Sequence, residues 1–254
     1  MSSRRHFMKR YGALLIAASV GLSLASAASA ANVIITEIMY HPSSEDVREE
    51  YIELYNGGAT NVDLAGWRFS SGIQFTFTNT TVLAPGAYLV VAADGGRFKL
   101  KYPSINNVVG NWTGILSNSR QDIDLDDAFG NRADSVEYAD EGDWAIRRRG
   151  DLDRNHRGWA WLKEHDGYGK SLELINPLVS NNYGQNWSSS TVTNGTPGRV
   201  NSVLQTNIPP MILETAHLPV IPKSTDAVLV TARIVDEGTN SVTATLHWLS
   251  LIQI

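Results

Sequence analysis

Cysteine is missing from all 254 residues, which excludes a disulfide framework and any thiolate metal site. No apolar run reaches the roughly 20 residues that a bilayer span needs. The stretch Ala13 to Leu24 falls short of that length and is diluted with Gly, Ser and Ala. Positive charge is also scarce, with a formal net charge of −5. Setting aside the first thirty residues, which hold Arg4, Arg5, Lys9 and Arg10 and no acid, leaves 17 basic against 26 acidic side chains, a net −9. So acidic a chain has no global field that attracts nucleic acid, and no stable nucleic-acid binding is expected. Catalytic signatures are missing too. The histidines at 41, 156, 165, 217 and 247 form no i, i+4 pair, no metalloprotease motif occurs, and there is no Gly-x-Ser-x-Gly elbow. Gly167-Tyr168-Gly169-Lys170-Ser171 ends like a phosphate loop. Glu164, however, stands where its first glycine belongs, and strand-like residues follow where a helix is required. No catalytic residue, metal ligand or cofactor is therefore assigned.

What is present is an ordinary globular composition, 43% hydrophobic and 19% charged, with 21 Gly and 9 Pro punctuating short β-branched and aromatic runs. That composition favours an all-β chain of one large or two small domains. Residues 1–30 read as an export signal: a basic start, the apolar stretch, and Ala28-Ser29-Ala30 as a small-residue cleavage site before Ala31. Ser3-Arg4-Arg5-His6-Phe7-Met8-Lys9 looks like a twin-arginine motif, which predicts export of the folded protein, to the periplasm, cell surface or beyond. After cleavage no transmembrane segment is expected.

The central pattern runs from Glu50 to Phe69. Ile52 and Leu54 share one face of an extended segment and Tyr51, Glu53 and Tyr55 the other, the period of a half-buried strand. Asn56-Gly57-Gly58 turns the chain, and Val62, Leu64 and Trp67 return apolar side chains to the core, with Trp67 expected as the largest anchor. Further strands are predicted at Val33 to Tyr40, Ile73 to Phe77, Tyr88 to Val91 and Ser171 to Ile175. A hairpin is predicted from Asp122–Asp126 and Ala133–Tyr138, and a single helical turn at Phe98 to Tyr102.

Several of these pieces together resemble bacterial lamin-tail domains. They are Val33-Ile34-Ile35-Thr36-Glu37-Ile38-Met39-Tyr40, Glu50-Tyr51-Ile52-Glu53-Leu54-Tyr55-Asn56, Val62-Asp63-Leu64-Ala65-Gly66-Trp67, and Val82-Leu83-Ala84-Pro85-Gly86-Ala87-Tyr88-Leu89-Val90-Val91. Leu116-Ser117-Asn118, Ala133-Asp134-Ser135-Val136-Glu137-Tyr138 and Gly195-Thr196-Pro197-Gly198 complete the series, in order, across Ala31 to Ser202. The resemblance implies an immunoglobulin-like β-sandwich without a shared catalytic centre, and hence a binding or anchoring module; what it binds is not implied by the fold. The organisation expected is a sandwich over 31–205, a linker over 206–210 around Ile208-Pro209-Pro210, and an incomplete immunoglobulin- or fibronectin-like segment over 211–254, read as truncated.

Two clusters are candidates for chemistry. Asp122, Asp124, Asp126, Asp127, Asp140, Glu141 and Asp143 could supply oxygen ligands to calcium, the basis of a rival reading as a metal-assisted hydrolase or phosphoesterase. The rival also covers an N-terminal fragment of a larger surface enzyme. A solvated hairpin face explains these acids more simply. From Asp140 to Gly169 the pattern dissolves into what reads as a long polar loop holding Arg147, Arg148, Arg149, Arg154 and Arg157 beside Trp159 and Trp161. Basic side chains interleaved with aromatics can grip polyanions or stack on sugar rings or bases. Asp151, Asp153 and Glu164 lie among them, so an internally paired loop is the plainer expectation. The cluster is nevertheless the best local binding site in the chain, for protein or polysaccharide at a cell surface.

Overall fold

The computed structural model describes residues 33–223, 225–238 and 243–246. The signal, its cleavage site at Ala30–Ala31 and the expected strand around Trp248 lie wholly or mostly outside them. Contacts divide the chain into two compact units at Ile208/Pro209.

The larger unit pairs two sheets. One has six strands in the order β14-β13-β1-β2-β7-β8: β1 Val33–Met39, β2 Tyr51–Asn56, β7 Tyr88–Ala92, β8 Val108–Gly110, β13 Leu172–Leu174 and β14 Trp187–Ser189. The other has the order β10-β9-β4-β5, from β4 Arg68–Ser71, β5 Phe75–Thr76, β9 Arg120–Asp126 and β10 Arg132–Ala139. A two-stranded pair, β3 Val62–Asp63 and β6 Val82–Leu83, stands beside them. Between the large sheets lies the core, including Ile35, Ile38, Ile52, Leu54, Val91, Ile123, Leu125, Val136, Leu172 and Leu174. The chain is thus all-β, an immunoglobulin-like sandwich. Trp67 only packs against this core half-buried. Among the described residues, Trp112 and Trp187 are the buried tryptophans instead, at 8% and 4% exposure.

The two sheets are joined by buried polar contacts. β1 bulges between Ile35 and Glu37, which aims the Ile35 amide away from its ladder. That N–H donates to Asp134 Oδ2 of β10 at 2.7 Å, and Asn181 Nδ2 donates to the same oxygen at 2.8 Å. An N–H left unpaired in a core costs about 1–3 kcal/mol, so this bond holds the sheets in register.

The six-stranded sheet is covered on its outer face as well. β8 runs parallel to β7, and the crossover between them is helix α1, Gly95–Lys101, longer than the single turn predicted. Asp94 caps it by accepting the Arg97 N–H at 2.8 Å. Phe98 packs with Met39, Tyr51, Val90 and Ala92 in a second apolar cluster. Tyr51 and Glu53 are therefore fully buried, where a half-buried strand predicted a wetted face. The period of two identifies the two faces, but what covers each is a tertiary matter.

Asp140 to Gly169 is also corrected. In place of a long loop, β11 Ile146–Asp153 and β12 His156–Leu162 pair as an antiparallel ribbon. Arg154 and Asn155, at φ 46° and 67°, make the two-residue turn of opposite hand that such ribbons favour. In the smaller unit, β15 Met211–Leu218 and β16 Leu229–Val235 form an antiparallel hairpin.

Candidate binding ribbon

The ribbon's register places Arg147 opposite Trp161, Arg148 opposite Ala160 and Arg149 opposite Trp159. Side chains alternate along each strand, so Arg147, Arg149, Trp159 and Trp161 share one face, with Arg157 on the same side and Arg148 on the reverse. Arg154 sits at the tip. Four of the seven sequence-predicted residues thus meet in one ladder. The Arg147 guanidinium lies 4.5 Å from the Trp159 ring centre and 5.9 Å from that of Trp161, and Arg149 lies 5.6 Å from Trp159. Each such stack contributes about 0.5–1 kcal/mol at an exposed site. These contacts hold the Arg147 and Arg149 guanidinium groups beside the indoles of the same face.

The expectation of an internally paired loop fails. None of the five arginines forms an ion pair with an acid among the described residues, and Glu164 is taken by Lys170. Five arginines against Asp151 and Asp153 leave the ribbon at +3 on a chain of net −5. Both tryptophans are exposed, at 54% and 42%, and nearly every ribbon residue on both faces meets solvent. Such a strand pair buries too little to serve the core.

Its feet, by contrast, are tied down. Lys163, just past β12, donates to Asp140, just past β10, at 2.6 Å and pairs with Asp166 at 2.8 Å. Asp166 also bonds His41 Nδ1 at 2.6 Å. Burial pulls the His41 ring down, but its bonds to Asp166 and Glu45 win and hold its pKa above the ordinary value. Trp144, before β11, packs on Trp187 with ring centres 5.8 Å apart. Gly184 backs against Asp143 and Trp144 so closely that a Cβ would stand 2.6 Å from the Asp143 carbonyl carbon.

Most of the acids considered for calcium are engaged elsewhere. Asp124 pairs with Arg132 and accepts from Ser135, and Asp126 pairs with Arg132 and Arg68. Asp127 builds the turn after β9 by accepting the Phe129 and Asn131 N–H groups. Among the described residues, no three histidine or acidic side chains are arranged to hold a metal ion.

Sequence reasoning missed a row of three fully buried glutamates. Glu37 faces Glu53 on one side and Glu173 on the other, across β13, β1 and β2. Among the described residues no cation meets them; hydroxyls and amides do. Glu37 Oε1 accepts from Tyr51, Ser171 and the Thr196 N–H, at 2.6, 2.6 and 2.8 Å. Glu53 accepts from Thr36 and the Gly198 N–H. Glu173 accepts from Thr196, Ser202 and the Val203 N–H. The Gly195-Thr196-Pro197-Gly198 segment is thus the lid of the acid row. Burial, with the neighbouring Glu173 charge, pushes Glu37 up to about 7; burial and the Glu37 charge likewise push Glu53 well above the ordinary carboxylate range. One signal was available: each acid stands between apolar or β-branched neighbours on its strand.

Among the described residues no helix is long and apolar enough to cross a membrane. In comparisons with known proteins, the lamin tail domain family model matches residues 26–140, the sandwich up to the end of β10 and short of the ribbon. No curated protein matches the chain.

Proposed function

We propose that the chain, whose residues 26–140 match the lamin tail domain family model, is a non-catalytic binding or anchoring module, exported by its first thirty residues, whose recognition surface is the arginine–tryptophan ribbon. The observation that carries this reading is five arginines without acid partners on a strand pair exposed on both faces. An unneutralised patch of one sign attracts and orients a partner of the opposite sign. The sandwich supplies a rigid base, and the Lys163–Asp140–Asp166 clamp fixes the ribbon's feet to it. Export would place the ribbon at the envelope or outside the cell, among surface polymers and proteins.

The test is fractionation of cells expressing either the full chain or a form with residues 146–162 replaced by a short Gly-Ser turn. The full chain is expected in the exported, envelope-bound fraction, and the shortened one released. Equal distribution of the two would remove the ribbon as the anchoring surface. Retention of both in the cytoplasm would overturn export.

A further inference from the structure

We infer that the ribbon's partner is an acidic polysaccharide, a chain of sugar rings carrying carboxylate or sulfate groups. This rests on the reading of the ribbon as a recognition surface and narrows it to a ligand class. The charge is complementary: the ribbon is +3 and none of its arginines is neutralised by an acid. The geometry is complementary as well. Small molecules are held in concave sites, whereas this face is exposed along its length and runs roughly 20–25 Å at about 3.4 Å per residue. An extended polymer can lie along it. Arg147, held against Trp159 and Trp161, and Arg149, held against Trp159, carry the planar fork that matches a carboxylate or sulfate two bonds at a time. The exposed borders of the same indoles, and their N–H donors, suit the mixed apolar and hydroxyl surface of a pyranose.

Two other polyanions are disfavoured by the same observations. Duplex DNA carries one charge per about 1.7 Å, and a polymer that dense would be repelled by the rest of a chain of net −5. A saccharide with a charge on every ring or every second ring meets far less of that repulsion. A lipid surface would need the indoles to enter the acyl boundary, but guanidinium groups occupy their faces.

The experiment measures binding of the full chain to polygalacturonate, to the same polymer with its carboxyls fully methyl-esterified, to DNA, and to phosphatidylglycerol vesicles, at several salt concentrations. Polygalacturonate is expected to bind in a salt-dependent way and its ester not to bind. The double variant R147Q/R149Q should weaken binding about tenfold or more. R147K/R149K, which keeps the charge and loses the fork, should weaken it several-fold. Because the ribbon stands off the core, the melting temperature of each variant serves as the folding control and should not move. Equal binding of the ester, or tighter binding of DNA or vesicles through the same arginines, would overturn the saccharide class and leave the ribbon as a binding surface. No binding to any polyanion, with both variants indistinguishable from the parent, would sink the surface itself.

Discussion

Replacing Glu37 by glutamine should change how stability depends on pH, and the structure sets the size of the change. Glu37 is fully buried with no cation beside it, and burial lifts its pKa from the ordinary 4.5 to about 7. A carboxyl with a raised folded pKa contributes stability that is complete below the unfolded pKa and lost as pH rises through the folded one. The window is therefore about 4.5 to 7, with little change above it. At 1.36 kcal/mol per unit, the loss from Glu37 alone is about 3 kcal/mol. Glu53, Glu50 and Asp134, all raised chiefly by burial, add in the same direction. Glutamine suits the site: its carbonyl can occupy the Oε1 position and keep all three donors. Its amide nitrogen then falls where Oε2 meets no donor or acceptor. That nitrogen carries a cost of its own, but one that does not vary with pH. Urea unfolding of parent and E37Q from pH 4 to pH 8 should show the glutamine form gaining about 3 kcal/mol on the parent across the range. Parallel profiles would refute the reasoning. They would mean that the Tyr51, Ser171 and Thr196 donors keep the carboxylate ionised in the fold, so that hydrogen bonding outweighs desolvation.

Lys163→Met should loosen the feet of the ribbon while leaving the sandwich intact, seen as faster amide exchange in β11 and β12 at a nearly unchanged melting temperature. Gly195→Ala places a methyl on the Glu37 carboxylate and the Tyr51 and Ser171 hydroxyls, at a backbone φ of 74°; it should cost about 3 kcal/mol or more, or prevent folding, in denaturant melts. Lysine at both Arg4 and Arg5 should leave the protein in the cytoplasm, checked by fractionation, with the exported parent beginning at Ala31 by mass spectrometry. Calcium at millimolar concentration should not raise the melting temperature, because Asp124 and Asp126 of β9 are already paired with Arg132 and Arg68; a rise would show a site that binds the ion.

The sandwich was legible because its strands obey local rules. Alternating Ile52 and Leu54, the Asn56 turn and the acid-rich hairpin turn at Asp127 all carry their instructions within a few residues. The ribbon was not legible as structure: Ile146-Arg147-Arg148-Arg149-Gly150 has no apolar alternation, and Arg154-Asn155 is a weak turn signal beside Asn-Gly. Trp159-Ala160-Trp161-Leu162 held the only alternation there. Yet its residues were recognisable as a cluster from composition alone, since proximity in sequence sufficed. That its arginines are unpaired could be learned only from the register, which sets Arg147, Arg148 and Arg149 against Trp161, Ala160 and Trp159, and Arg157 against Leu152. The acid row lies at the other extreme. Glu37, Glu53 and Glu173 are far apart in the chain, and each reads as an ordinary polar strand position. Only the pairing of three strands puts them side by side, and only the return of residues 194–203 over them takes the water away. Burial belongs to the assembled fold and not to any segment, so a carboxyl's charge state here is decided by tertiary structure, while the strand that carries it is decided by its neighbours in sequence.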